Sequence, residues 1–354
     1  MFWQRAWYRH GVDFRLWLLL PLHWVFCGLS AVRRWLYRIG LLAVYRAPVP
    51  VIVVGNISVG GTGKTPVTEA FIQWLISQGL QPAIISRGYG GRGPFPQLVT
   101  ATSSATAVGD EPKLLASRTQ VPLVVGANRQ QAIALLLKQH PEVSVIVSDD
   151  GLQHYALARD IEVVVVDGQR GFGNGWRLPL GPLREPLSRL QHVDFIVQNG
   201  ESASPKLASA QQPFWRFDLR PDGWRRVNQA QGTQTEPVTL EPGDYAAVAG
   251  IGNPQRFFDT VAATLAAEAT IRVVETKAFA DHHPFSAADF AQFNALTGVL
   301  MTEKDAAKCQ SFAPDHWYYL PVSAQFETEF WQQFANQLQT KQKLHESARS
   351  TYGG

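Results

Sequence analysis

Gly60-Gly61-Thr62-Gly63-Lys64-Thr65 is the stretch whose residue types could most directly do chemistry. Glycines let backbone N–H groups turn inward around phosphate oxygens, and a helix opening just after them adds its positive end. A lysine in such a loop reaches the β- and γ-phosphates of ATP, and the hydroxyl that follows it ligates Mg2+. The phosphate-binding loop is therefore assigned to Ser58, Val59, Gly60, Gly61, Thr62, Gly63, Lys64 and Thr65. Ser58 stands where the usual first glycine of G-x-x-x-x-G-K-[ST] would fall, yet three glycines remain to make the turns. Such a loop needs an acid at the end of a neighbouring strand, and VSVIVSDDG supplies Asp149 and Asp150. Two adjacent acids point in different directions, so one can hold Mg2+ or its water while the other meets substrate or a histidine. Asp149 is assigned to the metal and Asp150 to catalysis, although Asp-Asp-Gly is also a common turn.

Arginines form the next group. Arg170, Arg177, Arg184 and Arg189 alternate with glycine, proline and Trp176, and guanidinium groups bind phosphate bidentately. Arg87 follows an apolar run and could meet a nucleotide or product phosphate; a solvated loop charge is the plainer reading of each arginine. Asp110 precedes a helix that Pro112 can open, which locally reads as an N-cap. His282, in Ala280-Asp281-His282-His283, locally reads as part of a surface loop. Lys304, Asp305 and Lys308 could close the nucleotide end, or simply lie in a strand-to-helix loop.

The elements that must position these residues follow from periodicity. Residues 51–79 read as strand, glycine turn, helix and glycine stop. Further apolar runs (PAIISRG, VPLVVG, VSVIVSDDG, IEVVVVDG, VDFIVQNG) alternate with helical stretches, the pattern of a parallel sheet covered on both faces. Alternation around Pro221-Asp222-Gly223 suggests a two-stranded hairpin linker. A second α/β series starts after Pro242-Gly243. The expected organisation is an N-terminal basic aromatic helix over 1–47, a phosphate-loop domain over 48–212, a linker over 213–240, a smaller α/β lobe over 241–338 and a polar tail over 339–354.

The chain has 354 residues, enough for two domains and a surplus, and its 45% hydrophobic and 17% charged content excludes disorder. Cys27 and Cys309 exclude a disulfide framework and a zinc ribbon, and fit a reducing compartment. Seven arginines against Asp13 alone make residues 1–46 net +6; with +3 over the whole chain, the remainder carries −3. Basic charge confined to one end argues against nucleic acid and for an anionic membrane surface. That end also holds five of the eleven tryptophans, and residues 16–32 carry no formal charge. Seventeen helical residues span roughly 25 Å, short of the ~30 Å hydrocarbon core, so the helix is expected to lie on the membrane rather than cross it. A buried core helix, a true span or a signal peptide are the alternatives.

VGNISVGGTGKTP, SRGYGG, GDEP, DDGLQHYALARD, GNGWRLPLGPLREP, ADHH and TEKDAAKC occur in an order that resembles the tetraacyldisaccharide 4′-kinase family of Gram-negative bacteria, from the N-terminal helix to about Val322. The Ser58 departure is shared with that family. The resemblance implies two α/β/α lobes joined by a hairpin linker, and transfer of the ATP γ-phosphate to the 4′-hydroxyl of a tetraacylated glucosamine disaccharide 1-phosphate, giving lipid IVA. It implies ATP and Mg2+ as cofactors and a peripheral place on the cytoplasmic face of the inner membrane, with no protein partner and a monomeric state. It further implies Asp110 as catalytic base paired with His282, which requires lobe closure, and Glu185 near Mg2+. A membrane-surface ATPase switch of the partition type is the main rival, but Val59 stands where that class needs a lysine.

Overall fold

The computed structural model describes residues 6–8, 13–201, 214–228, 236–281 and 283–352. The apolar runs become strands β1 (Val51–Gly55), β2 (Pro82–Ser86), β3 (Gln97–Leu98) and β4 (Leu123–Val125). Next come β5 (Val145–Asp149), β6 (Ile161–Asp167), β7 (Phe195–Asn199) and β8 (Phe214–Pro221). The second half adds β9 (Arg225–Arg226), β10 (Gly243–Ala249), β11 (Ile271–Ala278), β12 (Gly298–Thr302), β13 (Trp317–Leu320) and β14 (Val322–Phe326). Among the described residues these make a large sheet, β14-β8-β7-β6-β1-β5-β2-β4-β3, and a small one, β11-β10-β12-β13-β9.

The central strands of the large sheet are buried along their whole length, as continuous Val/Ile runs require when helices cover both faces. One face packs on Ile133 and Leu136 of the helix Arg129–Gln139, the other on Phe71, Ile72 and Leu75 of the helix Lys64–Ser77. β1 pairs in parallel with β5 and β6, and β5 with β2. Their carboxyl ends therefore share one edge, where Gly55, Ser86, Asp149 and Asp167 come together and where ligands of α/β sheets bind.

The linker strands take partners in both sheets. β8 lies parallel to β7 and antiparallel to β14, while β9 pairs with β13 of the small sheet. An antiparallel bridge between Trp224 and Val238 closes the excursion. β8 earns its place at the large sheet through Phe217, which stacks on Phe326 of β14 (centroids 5.2 Å).

The boundary expected at residue 338 moves. β14 and the helix Thr328–Tyr352 return to the large lobe, so residues 322–338 pack there and not with the small lobe. Phe330, Phe334 and Leu338 recur every four residues and are buried as one stripe, with Phe330 and Phe334 at 5.8 and 4.8 Å from the Phe71 ring. The stretch expected as a polar tail continues that helix as far as Tyr352, and His345 Nε2 pairs with Asp160 at 3.0 Å.

At the other end, a 3-10 turn (Phe14–Leu19) leads into the helix Leu20–Arg38, with Pro21 in its first turn. Leu16, His23 and Cys27 are buried, whereas Leu18, Leu22, Trp24, Val25, Leu29, Val32 and Trp35 are exposed. The buried line sits on residues 173–183: Trp176 packs edge-on against Trp17 and His23, and His23 Nδ1–H donates to the Arg177 carbonyl at 3.0 Å. Among the described residues, Phe14–Arg38 is the one segment long and apolar enough to cross a membrane. An open apolar face of this size asks for an apolar phase to cover it.

Candidate active site

The loop after β1 runs directly into the helix Lys64–Ser77, with Gly63 as its left-handed cap (φ 91°) and Gly60 at φ 113°. A β-carbon on Gly63 would crowd Asn199 Nδ2 at 3.1 Å, so the turn demands glycine twice over. The Asn56 amide donates to the Gly60 carbonyl (3.4 Å) and Thr62 Oγ1 (3.3 Å), holding the loop from inside. From outside, Val59 N–H donates to Pro182 O at 2.8 Å and Arg184 N–H to Ile57 O at 2.7 Å, so the arginine-rich segment splints the phosphate loop.

Lys64 leaves the helix start toward Asp150, with Nζ 3.7 Å from Oδ1. Arg184 Nη1 grips the same carboxylate at 3.1 Å and also donates to Gln153 Oε1 at 3.3 Å. Burial pushes the Asp150 pKa up, but Lys64 and Arg184 outweigh it and hold the carboxyl below its ordinary value. Asp149 behaves in the opposite way. It is buried at the end of β5, where Ser86 Oγ donates to Oδ2 at 3.2 Å and Thr68 Oγ1 to Oδ1 at 3.5 Å. Burial first, then the charges of Glu111 and Asp150, push its pKa up to about 7. Thr65 lies one helical turn before Thr68 and so on the same face of the helix. A hydroxyl and a carboxylate are the oxygen donors that a hard divalent cation prefers, so Thr65 and Asp149 fit such an ion in chemistry.

Other expected residues are placed with more variety. Glu185 is buried, and its carboxylate is taken up by Gln153 Nε2 (2.7 Å), the Tyr155 hydroxyl and Arg189 Nε (3.4 Å). It therefore buttresses Gln153, which in turn receives Arg184. Arg170 comes to the loop, with Nη1 3.8 Å from where a β-carbon on Gly60 would sit, and stacks over Tyr8 at 5.1 Å. Arg177 offers its carbonyl to the N-terminal helix. Arg87 lies near enough to Arg129 and His154 to help lower both pKa values. Asp110 is the first residue of the helix Asp110–Thr119; Gly109, at φ 98°, takes the cap position expected of the aspartate. A β-carbon at Gly109 would stand 2.5 Å from Tyr89 O, which explains the glycine. His282 lies outside the described residues.

The small lobe closes over this edge. A β-carbon on Gly252 would fall 2.8 Å from Gly61 N, so the two backbones nearly touch. Asp167, at the end of β6, caps the N–H groups of Gln169 and Arg170 and pairs with Arg256 at 2.6 Å from the small-lobe helix Pro254–Leu265. From the helix Glu303–Cys309, Lys308 Nζ reaches Asp110 Oδ2 at 3.6 Å and Lys304 Nζ reaches Glu111 Oε1 at 3.0 Å. Arg129, the first residue of the helix Arg129–Gln139, also belongs to this edge. It is buried, donates to Gly126 O (2.7 Å) and Asp149 O (3.4 Å), and burial lowers its pKa to about 10. A lone arginine opening an otherwise ordinary helix carries no signal of that role.

A phosphate loop with a second lobe docked over its edge, reaching a neighbouring carboxylate, is the arrangement of a kinase. The family model for tetraacyldisaccharide-1-P 4′-kinase matches residues 15–339. The tetraacyldisaccharide 4′-kinase of Idiomarina loihiensis is 46% identical over 98% of this chain and 100% of its own length. That of Actinobacillus pleuropneumoniae is 49% identical over 88% of this chain and 92% of its own. Among solved structures, LpxK from Aquifex aeolicus in complex with ATP superposes with a TM-score of 0.73 at 26% identity, covering 92% of this chain and 99% of that one. The chain belongs to the tetraacyldisaccharide 4′-kinase family.

Proposed function

We propose that the chain transfers the γ-phosphate of ATP to the 4′-hydroxyl of a tetraacylated glucosamine disaccharide 1-phosphate, forming lipid IVA. The observation that carries this reading is the chain Lys64–Asp150–Arg184 at the phosphate loop, with Asp110 held opposite by the small lobe. Backbone N–H groups of residues 60–65 receive the phosphates, and Lys64 neutralises the charge shared between the β- and γ-groups. Asp150 and Arg184 keep that lysine aimed and its position fixed before substrate arrives. Asp110 accepts the 4′-hydroxyl proton as the new oxygen–phosphorus bond forms and the bond to the β,γ-bridging oxygen breaks, leaving ADP. Thr65 and Asp149 would hold Mg2+, whose chemistry there is to neutralise phosphate charge. Arg87, Arg170, Arg177 and Arg184 are assigned to the anionic substrate. The exposed face of the N-terminal helix docks the enzyme, as a monomer, on the cytoplasmic side of the inner membrane, where an acceptor with four acyl chains resides.

The test is phosphate transfer from γ-labelled ATP to the detergent-dispersed acceptor. The wild type is expected to consume little ATP until acceptor is added, and Lys64→Ala to transfer at least about a hundredfold more slowly. ATP hydrolysis that ignores the acceptor would mark a nucleotide switch instead, and Lys64→Ala within about twofold of wild type would remove the loop assignment.

A further inference from the structure

Two helices from different lobes face one another beside the site: Asp110–Thr119 of the large lobe and Glu303–Cys309 of the small one. Three ion pairs bind them. Glu303 Oε2 takes Arg118 Nη1 at 2.6 Å, Lys304 pairs with Glu111 at 3.0 Å, and Lys308 with Asp110 at 3.6 Å. The Glu303 pair is the fixed end, because Arg118 Nε also holds Glu69 at 2.9 Å on the phosphate-loop helix and Nη1 donates to Val322 O at 3.3 Å. One guanidinium thus ties the loop helix, the Asp110 helix and the small lobe together where the chain returns between lobes.

Lys308 is the end that touches the chemistry. Its side chain is 12% exposed, its ammonium donates to the His283 carbonyl at 3.4 Å, and it lies over the Phe285 ring at 5.8 Å. Asp305, one turn earlier, stands 4.0 Å from Lys308 Nζ. Asp305 is itself anchored by Gly250 N–H at 2.9 Å and Thr302 Oγ1 at 2.6 Å. A lysine held this firmly by its own lobe is a rigid arm, and it reaches across the boundary to the carboxylate assigned as the base.

We propose that Lys308 is a positioning residue for phosphoryl transfer: from the small lobe it holds the Asp110 carboxylate in register with the acceptor hydroxyl. The inference rests on the assignment of Asp110 as base. It makes proton acceptance depend on lobe docking, since Asp110 loses this partner whenever the small lobe swings away. A displaced carboxylate slows the chemical step without weakening ATP binding.

The experiment measures kcat and both KM values for the full-length protein with dispersed acceptor. Lys308→Met is expected to lower kcat about tenfold or more with both KM values within about threefold, and Lys308→Arg to recover to within about threefold of wild type. In an Asp110→Asn background, Lys308→Met should add no more than about a twofold loss, because the two act as a unit. The inference is overturned by Lys308→Met at wild-type kcat, by full additivity with Asp110→Asn, or by a raised KM for ATP at unchanged kcat, which would make Lys308 a nucleotide ligand. An active Asp110→Asn removes the base assignment and the inference with it, whereas an inactive Asp110→Asn beside a fully active Lys308→Met removes the inference alone. Melting curves accompany each variant, and Lys308→Gln takes the same test, with the same expectations, if Lys308→Met does not fold.

Discussion

Asp149 and Asp150 are chain neighbours with opposite electrostatics. Asp150, at φ 48°, turns out of the strand to meet Lys64 and Arg184, which keep it ionised. Asp149 stays in β5, desolvated and facing further negative charge, and its pKa rises to about 7. A carboxyl whose folded-state pKa is raised binds its proton more tightly folded than unfolded. Stability it contributes when protonated is therefore lost as pH climbs from the unfolded value of 3.8 through about 7. Asp149→Asn removes that cost, so in nucleotide-free protein its melting temperature should exceed wild type by several degrees more at about pH 8 than at about pH 5. A difference that does not grow with pH would show that Asp149 is not desolvated in solution. With ATP and acceptor present the same variant should lose activity, since the anionic carboxylate assigned to the cation is gone.

At the scale of elements, the phosphate loop is held between two supports, the segment 173–184 of its own lobe and the Gly252 turn of the other. Glycine at 252 is a packing requirement, because a β-carbon would meet the Gly61 backbone, which cannot rotate away as a side chain can. Gly252→Val should therefore force the small lobe off the loop. Transfer is expected to fall at least about tenfold with a raised KM for ATP, while the melting temperature changes little because each lobe keeps its own core. Wild-type kinetics in Gly252→Val would mean that the lobes do not work in this docked arrangement.

For the whole molecule, the N-terminal helix is a strut, and its open apolar face is the proposed membrane contact. Its exposed face carries Leu22 and Leu29, at 56% and 68% exposure, while His23 and Trp176 join the buried face to the segment whose Pro182 carbonyl holds Val59. Deleting residues 1–40 would thus disturb the phosphate loop as well as membrane contact. Leu22→Glu with Leu29→Glu separates the two: binding to anionic vesicles should drop about tenfold or more, with ATP affinity and melting temperature unchanged. High salt should loosen wild-type binding only in part, because arginine attraction is screened and apolar contact is not. Vesicle binding that survives the double substitution would place membrane contact elsewhere on the surface.

The phosphate loop, the strand-end acids and the two α/β series are legible in the linear sequence, since each depends on neighbours within a few residues: glycine spacing, a Val/Ile run, a helix start. The basic, tryptophan-rich end is legible for the same reason. Partnership across the fold is not. Nothing local announces that Gln153, Tyr155 and Arg189 surround Glu185, or that Arg129 is buried and donates to the Asp149 carbonyl. Strand β8 and the C-terminal helix join the large lobe because Phe217, Phe330 and Phe334 find aromatic partners there, a choice set by shape and not by local propensity. Which lysine of Glu303–Cys309 meets Asp110 depends on how two lobes dock, and residues nearly two hundred positions apart leave no local pattern for that. Local backbone preference and hydrophobic periodicity wrote the elements into the sequence; long-range packing and desolvation, which exist only once the chain has closed on itself, decided the partners.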